Sequence, residues 1–206
     1  MQQGSEEWFK ARCGSIGASD VARIVRKTMS GYSADRATLM SEKIQEKLTG
    51  VNFQRQQTQA MRDGIEREPV ARIAYAIKKN VYVEEIAFVP HPLIPGAHAS
   101  PDGLVGELGL IEIKCPQGKR HLEALLTETI PSDHLVQMMW QMACTGRAFC
   151  DYVSFHPGFP KEMAMWIKRV PRVETHIKDL ETEVRAFIKE VNQKISKLTT
   201  RYASAA

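Results

Sequence analysis

The sequence lacks the features of membrane, secreted and zinc-scaffold proteins. No apolar run approaches the ~20 consecutive residues that a membrane-spanning helix needs, and no signal peptide opens the chain. Internal repeats and low-complexity segments are also absent. The four cysteines (Cys13, Cys115, Cys144 and Cys150) have no CxxC spacing, so they indicate neither a zinc site nor a set of disulfides. We therefore expect a cytoplasmic protein with reduced thiols.

The length and composition are those of an ordinary globular domain. The chain has 206 residues, of which 43% are hydrophobic and 25% are charged, and this length suffices for one well-buried domain. The 28 lysines and arginines exceed the 24 acidic residues, which gives a formal net charge of +4. This excess favours a polyanionic partner but does not establish one, because many enzymes are as basic.

The most informative stretch is a predicted strand at residues 110–114, with the sequence Leu-Ile-Glu-Ile-Lys. Successive side chains of a strand alternate between its two faces. Ile111 and Ile113 therefore point into an apolar layer, whereas Glu112 and Lys114 share the opposite face.

The turn before this strand decides which acidic residues meet. Glycines on either side of Glu107 and Leu108 predict a hairpin turn centred on Glu107. Opposed residues then have numbers that sum to 214, which sets Asp102 opposite Glu112. Directly opposed β-carbons lie roughly 5 Å apart, and this separation suits two carboxylates that share one Mg²⁺ or Mn²⁺. Lys114 would then orient or deprotonate a water; the alternative is an exposed hairpin whose Glu112 and Lys114 form a solvated face.

The order of the motifs resembles that of one nuclease family. Ser100-Pro101-Asp102 followed by Glu112-Ile113-Lys114 matches the PD-(D/E)xK nuclease core. The flanking residues resemble the phage lambda exonuclease and YqaJ-type alkaline exonuclease family over about residues 5–170. The flanking motifs are Trp8-x-x-x-Arg12, Gly17-Ala18-Ser19, Gly64-Ile65-Glu66-Arg67-Glu68 and a helix that contains Gln137.

The resemblance implies a metal-dependent active site on the hairpin. Asp102 and Glu112 would hold two Mg²⁺ ions, with Mn²⁺ as an alternative, and the Ile113 carbonyl would be a further ligand. Lys114 would activate the attacking water.

Two further residues would assist Lys114, according to the resemblance. One is Glu68, although a shift in register would put Glu66 in its place. The other is Gln137, although an amide on a helix is otherwise ordinary polar surface.

The N-terminal motifs would recognise a DNA end. Small residues that lead into a helix make an anion site, because free N–H groups point at it; here a short helix should begin at Ser19 or Asp20. A plain turn between two helices would have the same sequence pattern. By the resemblance, the terminal 5′-phosphate is held by Arg12, Ser19 and Ser100, and the duplex end is split near Trp8 and Met61.

The remaining elements surround the hairpin. Helices are predicted at residues 34–49, 52–79, 121–129, 132–146 and 172–202, and strands at residues 80–90, 149–155 and 163–170. The helix at residues 52–79 should be interrupted at Gly64 and Pro69. The heptad-like apolar stripe of the last helix favours packing along its own domain over a coiled coil.

These elements predict one α/β nuclease domain over residues 1–206. It has a helical N-terminal part (5–80), a restriction-endonuclease-like core with a mixed sheet flanked by helices (81–170), and a long C-terminal helix (172–202).

The resulting hypothesis is a Mg²⁺-dependent deoxyribonuclease that degrades one strand of linear duplex DNA from the 5′ end. It would leave a 3′ overhang for recombination by strand annealing. The resemblance further implies a homotrimer, a phage single-strand annealing protein as partner, and a phage or prophage gene in a bacterial host. Two alternatives stay open: a resolvase or endonuclease with the same core, and a non-catalytic DNA-end-binding protein. The intact set of Asp102, Glu112 and Lys114 argues against the second.

Overall fold

The structure, a computed structural model, describes residues 3–53 and 58–203 as helices around a mixed sheet. The helices are α1 (Glu6–Arg12), α2 (Ala18–Val25), α3 (Ala34–Thr49), α4 (Gln59–Lys79), α5 (Gly118–Thr127), α6 (Ser132–Thr145) and α7 (Glu174–Ala203). The strands are β1 (Lys27–Thr28), β2 (Gly31–Tyr32), β3 (Val83–Glu84), β4 (Val89–Pro90), β5 (His98–Ala99), β6 (Gly103–Val105), β7 (Gly109–Lys114), β8 (Phe149–Phe155) and β9 (Met165–Pro171). Within these described residues, no helix is long and apolar enough to cross a membrane.

The helix α2 begins earlier in the chain than the sequence predicts. The predicted N-cap at Ser19 or Asp20 is wrong, because the N-cap of α2 is Gly17. The Gly17 amide donates to the Asp20 carboxylate (3.2 Å). Asp20 therefore satisfies a free amide from inside the first turn, as an acidic residue at the third helical position often does, and Ser19 lies within the helix.

The helix α4 runs without a break through two residues that were expected to interrupt it. Gly64 and Pro69 both lie inside the helix. Pro69 removes one backbone hydrogen bond, but Ala71 and Tyr75 on the same helix are buried against the sheet. Packing of this face outweighs the local preference, so the predicted interruption is wrong.

The predicted start at residue 52 is also wrong, because the described helix begins after Thr58; residues 54–57 lie outside the described part.

The main sheet of the described residues has five strands in the order β3-β6-β7-β8-β9. Neighbouring strands are antiparallel, except that β7 and β8 are parallel. A parallel pair needs a crossover connection, and α5 and α6 form it. The helix α6 consequently packs beside β7 and β8.

The hairpin of β6 and β7 has the predicted register. The paired residues are Gly103 with Ile111, Leu104 with Leu110, and Val105 with Gly109. Their numbers sum to 214, so the turn and the alternation of faces were correctly predicted. Asp102 directly precedes β6 and continues this register towards Glu112.

The single strand predicted at residues 80–90 is wrong. It is two short strands in different sheets, because β3 pairs with β6 whereas β4 pairs with β5. The apolar residues of this segment serve two separate cores: Val81 and Val83 pack beneath α4, whereas Ile86 and Val89 pack with α2 and α6. The chain must therefore leave the main sheet between them.

Helices cover both faces of the sheet, and α7 closes one side. Leu110 of β7 lies in the core that contains α2, α6 and α7, whereas Ile111 and Ile113 lie in the core that contains α4. The apolar stripe of α7 is buried at Ile177, Leu180, Val184, Phe187 and Val191. The predicted packing of α7 along its own domain is confirmed, as is the fold class of a mixed sheet flanked by helices.

Candidate active site

Two carboxylates meet at the end of the central hairpin. Asp102 directly precedes β6, and Glu112 lies within β7 at 1% exposure. The Ile113 amide donates to Asp102 Oδ2 (2.6 Å), which holds this carboxylate beside β7. The amide and the carbonyl of a strand residue leave the strand on the same side. The Ile113 carbonyl therefore also faces Asp102.

Three side chains contact the Glu112 carboxylate. Lys114 Nζ lies 2.5 Å from Oε1, and Gln137 Nε2 donates to the same oxygen at 2.7 Å. Gln141 Nε2 donates to Oε2 at 2.5 Å. The two glutamines lie four residues apart on α6 and thus on one face. The sequence assigned no role to Gln141, although its spacing of four residues from Gln137 was a signal for one; its complete burial is visible only in the structure.

The helix α4 brings Glu68 to the same cluster. Burial raises the pKa of Glu68, and the nearby Glu112 carboxylate raises it further, whereas Arg72 and Lys114 act in the opposite direction. Glu66 lies exposed on the solvent side of the helix. Of the two alternatives that the sequence left open, the structure thus brings Glu68 to the hairpin.

The electrostatic balance of the cluster is negative. Burial raises the pKa of Asp102 well above its usual range, and Glu112 and Glu68 raise it further; Lys114 and the Ile113 amide oppose this. Burial alone would lower the pKa of Lys114, but Glu112 and Asp102 outweigh it and hold the pKa above the ordinary value. The lysine is therefore an ammonium among carboxylates that repel one another.

The donor set fits a divalent cation with oxygen ligands. The carboxylates of Asp102, Glu112 and Glu68 repel one another, and this repulsion adds to the effect of burial in raising the pKa values of Asp102 and Glu68. A divalent cation would relieve this repulsion, and Mg²⁺ and Mn²⁺ prefer carboxylate and carbonyl oxygens. In the described residues, no three acidic, histidine or cysteine side chains already converge as a metal site. The expected ligands are instead two carboxylates and the Ile113 carbonyl.

Next to this cluster, Arg12 contacts Ser100. Arg12 Nη1 donates to Ser100 Oγ (3.1 Å), and the guanidinium lies over the Trp8 ring at 4.2 Å from its centroid. Burial lowers the pKa of Arg12, although Asp20 and Glu46 oppose this effect. The structure thus joins two of the three predicted phosphate ligands.

His98 supports the loop beside Arg12. Its Nδ1 lies 2.8 Å from Ser15 Oγ, and its Nε2 lies against Gly17, because a β-carbon at Gly17 would be 3.2 Å away. Burial and the cations of Arg12 and Lys43 lower the pKa of His98 to about 3. His98 is therefore neutral at physiological pH.

The other residues predicted to recognise a DNA end are two exposed side chains, Ser19 and Met61, and the partly buried Trp8. Ser19 is exposed in the first turn of α2, two residues after Gly17. Trp8 Nε1 donates to the Ala87 carbonyl (2.8 Å), and Met61 is 48% exposed in the first turn of α4. Splitting of the duplex end by Trp8 and Met61 stays a prediction.

Comparison with known proteins shows to which family this site belongs. A family model described as the YqaJ-like viral recombinase domain matches residues 7–148. The chain is similar to LHK-Exo, an alkaline exonuclease from Laribacter hongkongensis, with 42% sequence identity over 98% of this chain and 100% of that chain and a TM-score of 0.92. The structure of LHK-Exo in complex with dAMP gives the same identity and coverage with a TM-score of 0.93.

A more distantly related structure shares the fold, and at its low sequence identity this similarity concerns the fold alone. A phage-related exonuclease from Haemophilus somnus is 12% identical, and its structure matches over 89% of this chain and 96% of that chain with a TM-score of 0.71. No curated protein shows a significant match. The family match and the 42% identity across nearly the whole chain show that this protein belongs to the YqaJ-type exonuclease family.

Proposed function

We propose that the protein is a Mg²⁺-dependent exonuclease that degrades one strand of linear duplex DNA from the 5′ end. The product would be a 3′ single-stranded overhang suited to strand annealing. The observation that carries this proposal is the placement of the Asp102, Glu112 and Lys114 cluster beside the contact of Arg12 with Ser100. The similarity to LHK-Exo supports it, because dAMP has the chemistry of a product of DNA hydrolysis.

The cofactor in this proposal is Mg²⁺, with Mn²⁺ as an alternative and two ions per site. Asp102, Glu112 and the Ile113 carbonyl would hold the ions. When bound, they would supply positive charge to the phosphate oxygens and lower the pKa of the attacking water.

The side chains around the hairpin would align the attack. The Lys114 ammonium lies between Glu112 Oε1 and Gln137 Oε1 (2.5 and 3.4 Å). The third of its three N–H donors is therefore preorganised to donate to the attacking water. Gln137 and Gln141 hold the Glu112 carboxylate in one orientation. Glu68 has Oε1 engaged by Arg72, and its Oε2 would accept a hydrogen bond from the water.

The residues that recognise the DNA end would lie beside the carboxylates and Lys114. Arg12 and Ser100, with Ser19 and the free amides at the start of α2, would bind the terminal 5′-phosphate. Trp8 and Met61 would separate the last base pair. Each hydrolysis would release one nucleoside 5′-monophosphate and leave a 5′-phosphate on the next nucleotide of the strand, which the same pocket could then bind.

The assembly and the setting are part of the same proposal. A homotrimer would enclose the duplex, and a phage single-strand annealing protein would receive the 3′ overhang. The match to a viral recombinase domain supports a phage or prophage origin and action in the bacterial cytoplasm.

The test compares DNA ends and site variants. Linear duplexes with a 5′-phosphate or a 5′-hydroxyl, and a closed circle, are incubated with Mg²⁺ or EDTA. We expect Mg²⁺-dependent digestion of the linear duplex alone, with a 5′ label released first and a 3′ label retained on a shortening strand. Asp102→Ala and Glu112→Ala should abolish digestion, because either change removes a metal ligand. Glu107→Ala, which removes an exposed carboxylate from the turn of the same hairpin, is the matched control.

The outcomes separate the alternatives. Cutting of the closed circle would indicate an endonuclease or a resolvase. Binding of duplex ends without cutting in either metal would indicate a non-catalytic end-binding protein. Near-normal digestion by Asp102→Ala would remove this cluster from consideration.

A further inference from the structure

One arginine that the proposed reaction does not use contacts three parts of the site. Arg72 lies on α4 one turn after Glu68, and its side chain is only 12% exposed. Its Nη2 lies 2.6 Å from Glu68 Oε1, its Nε donates to the Asp102 carbonyl oxygen at 2.8 Å, and its Nη1 lies 3.0 Å from Glu85 Oε1. A single guanidinium therefore joins α4, the residue before β6, and the link between β3 and β4.

These contacts depend on the geometry of a guanidinium. Arginine presents five N–H donors in one rigid plane, whereas lysine has one compact ammonium on a flexible stem. The acceptors of Arg72 come from three separate segments, and each is reached by a different nitrogen. An ammonium at this position would keep the charge but lose at least one contact.

Asp102 is held at both of its ends. Arg72 binds its main-chain carbonyl, and the Ile113 amide binds its carboxylate. The direction of the Asp102 side chain relative to β7 is therefore set from two sides. The same guanidinium sets the position of Glu68, since the two residues form a close pair on one helix face.

We propose that Arg72 is a positioning residue that holds the Glu68 carboxylate and the Asp102 main chain in one arrangement, so that both acidic side chains face a divalent cation together. This inference rests on the proposed function, because it takes Asp102 as a metal ligand. Residues that orient metal ligands typically change metal affinity or activity 10–100-fold when they are replaced.

The test measures metal binding without DNA and without turnover. Binding of Mn²⁺ to the full chain is measured by calorimetry for the wild type, Arg72→Lys and Glu85→Gln. Binding of a 5′-phosphorylated duplex end is measured in EDTA by fluorescence anisotropy, and thermal unfolding is recorded for each variant. Arg36→Gln is the matched control, because the Arg36 side chain is 9% exposed and forms a two-pronged pair with Glu190 that joins α3 to α7.

We expect Arg72→Lys to bind Mn²⁺ about 10–100-fold more weakly than the wild type and to bind the duplex end in EDTA as the wild type does. Glu85→Gln should weaken Mn²⁺ binding less, since Glu85 is the exposed partner. Arg36→Gln should lower the unfolding temperature and leave Mn²⁺ binding unchanged.

Two results would overturn the inference while the proposed function stands. One is wild-type Mn²⁺ affinity in Arg72→Lys. The other is an equal loss of DNA-end binding in EDTA, which would make Arg72 a DNA contact. A wild-type protein that binds Mn²⁺ but cuts no DNA would instead defeat the proposed function alone, and one that binds no Mn²⁺ would defeat both.

Discussion

The contact of Arg12 with Ser100 makes the proposed phosphate pocket testable by one substitution. The guanidinium of Arg12 has five N–H donors, and within the described part of the chain it makes one hydrogen bond, to Ser100 Oγ. Its guanidinium is stacked on Trp8 and lies in a place where burial lowers its pKa. A half-buried cation with unused donors is suited to an anion, because the lowered local dielectric strengthens each charge-assisted hydrogen bond.

The expected magnitude follows from these bonds. A hydrogen bond to a charged group contributes roughly 1.5–3 kcal/mol, and about 1.4 kcal/mol is a factor of ten in rate. Arg12→Ala should therefore slow digestion of 5′-phosphorylated ends about tenfold to a hundredfold. Ends with a 5′-hydroxyl offer no phosphate to bind, so they should be poor substrates already and change little.

The assay is a single-turnover digestion of both kinds of end at several salt concentrations. Lys10→Ala is the matched control, because it removes the same charge from an exposed position of the same helix. Arg12→Lys keeps the charge and loses the planar fork, so it should resemble Arg12→Ala. Equal losses on phosphorylated and hydroxyl ends, or an equal loss in Lys10→Ala, would refute the pocket and indicate a general loss of DNA affinity that varies with salt.

Two further predictions concern stability and assembly. Because burial and neighbouring carboxylates raise the pKa of Asp102, the folded protein holds this proton more tightly than the unfolded chain. In EDTA the wild type should thus lose stability as the pH rises from about 4 towards the pKa of Asp102 in the folded protein. Asp102→Asn cannot titrate at this position, so its unfolding temperature should rise relative to that of the wild type between about pH 4 and pH 8. A difference that stays constant with pH would contradict this prediction. Light scattering should give a solution mass of about three times the 23.2 kDa chain, and a monomer that digests long duplexes without release would argue against a ring.

The hairpin could be predicted from the sequence because its determinants are local. The turn glycines and the alternation of Ile111, Glu112, Ile113 and Lys114 set both the register and the face of each side chain. The two glutamines of α6 follow the same kind of rule, since residues four apart on a helix share a face. What the sequence alone could not show is that both amides reach one carboxylate.

The parts that were predicted wrongly depend on contacts between distant segments. The segment at residues 80–90 reads as one strand, but its apolar residues belong to two cores, and no local rule shows where the chain must leave the sheet. Pro69 remains inside α4 because Ala71 and Tyr75 are packed against β7 and β8. Arg72 was missed for a related reason: a helix dense in charges is usually a solvated face, and only the fold brings the Asp102 carbonyl to it.

The parallel crossover from β7 to β8 has a consequence for how the enzyme can change. Together with the hairpin of β6 and β7, it gathers the two carboxylates proposed to bind metal, the lysine and both glutamines into the continuous segment 100–141, whereas Arg12 and Ser19 come from a separate helical segment. The two segments share the hydrogen bond from Arg12 to Ser100. With the proposed roles, mutation of the helical segment would alter the preference for one kind of DNA end while hydrolysis continues in segment 100–141, so end selection and bond cleavage would diverge independently among related enzymes.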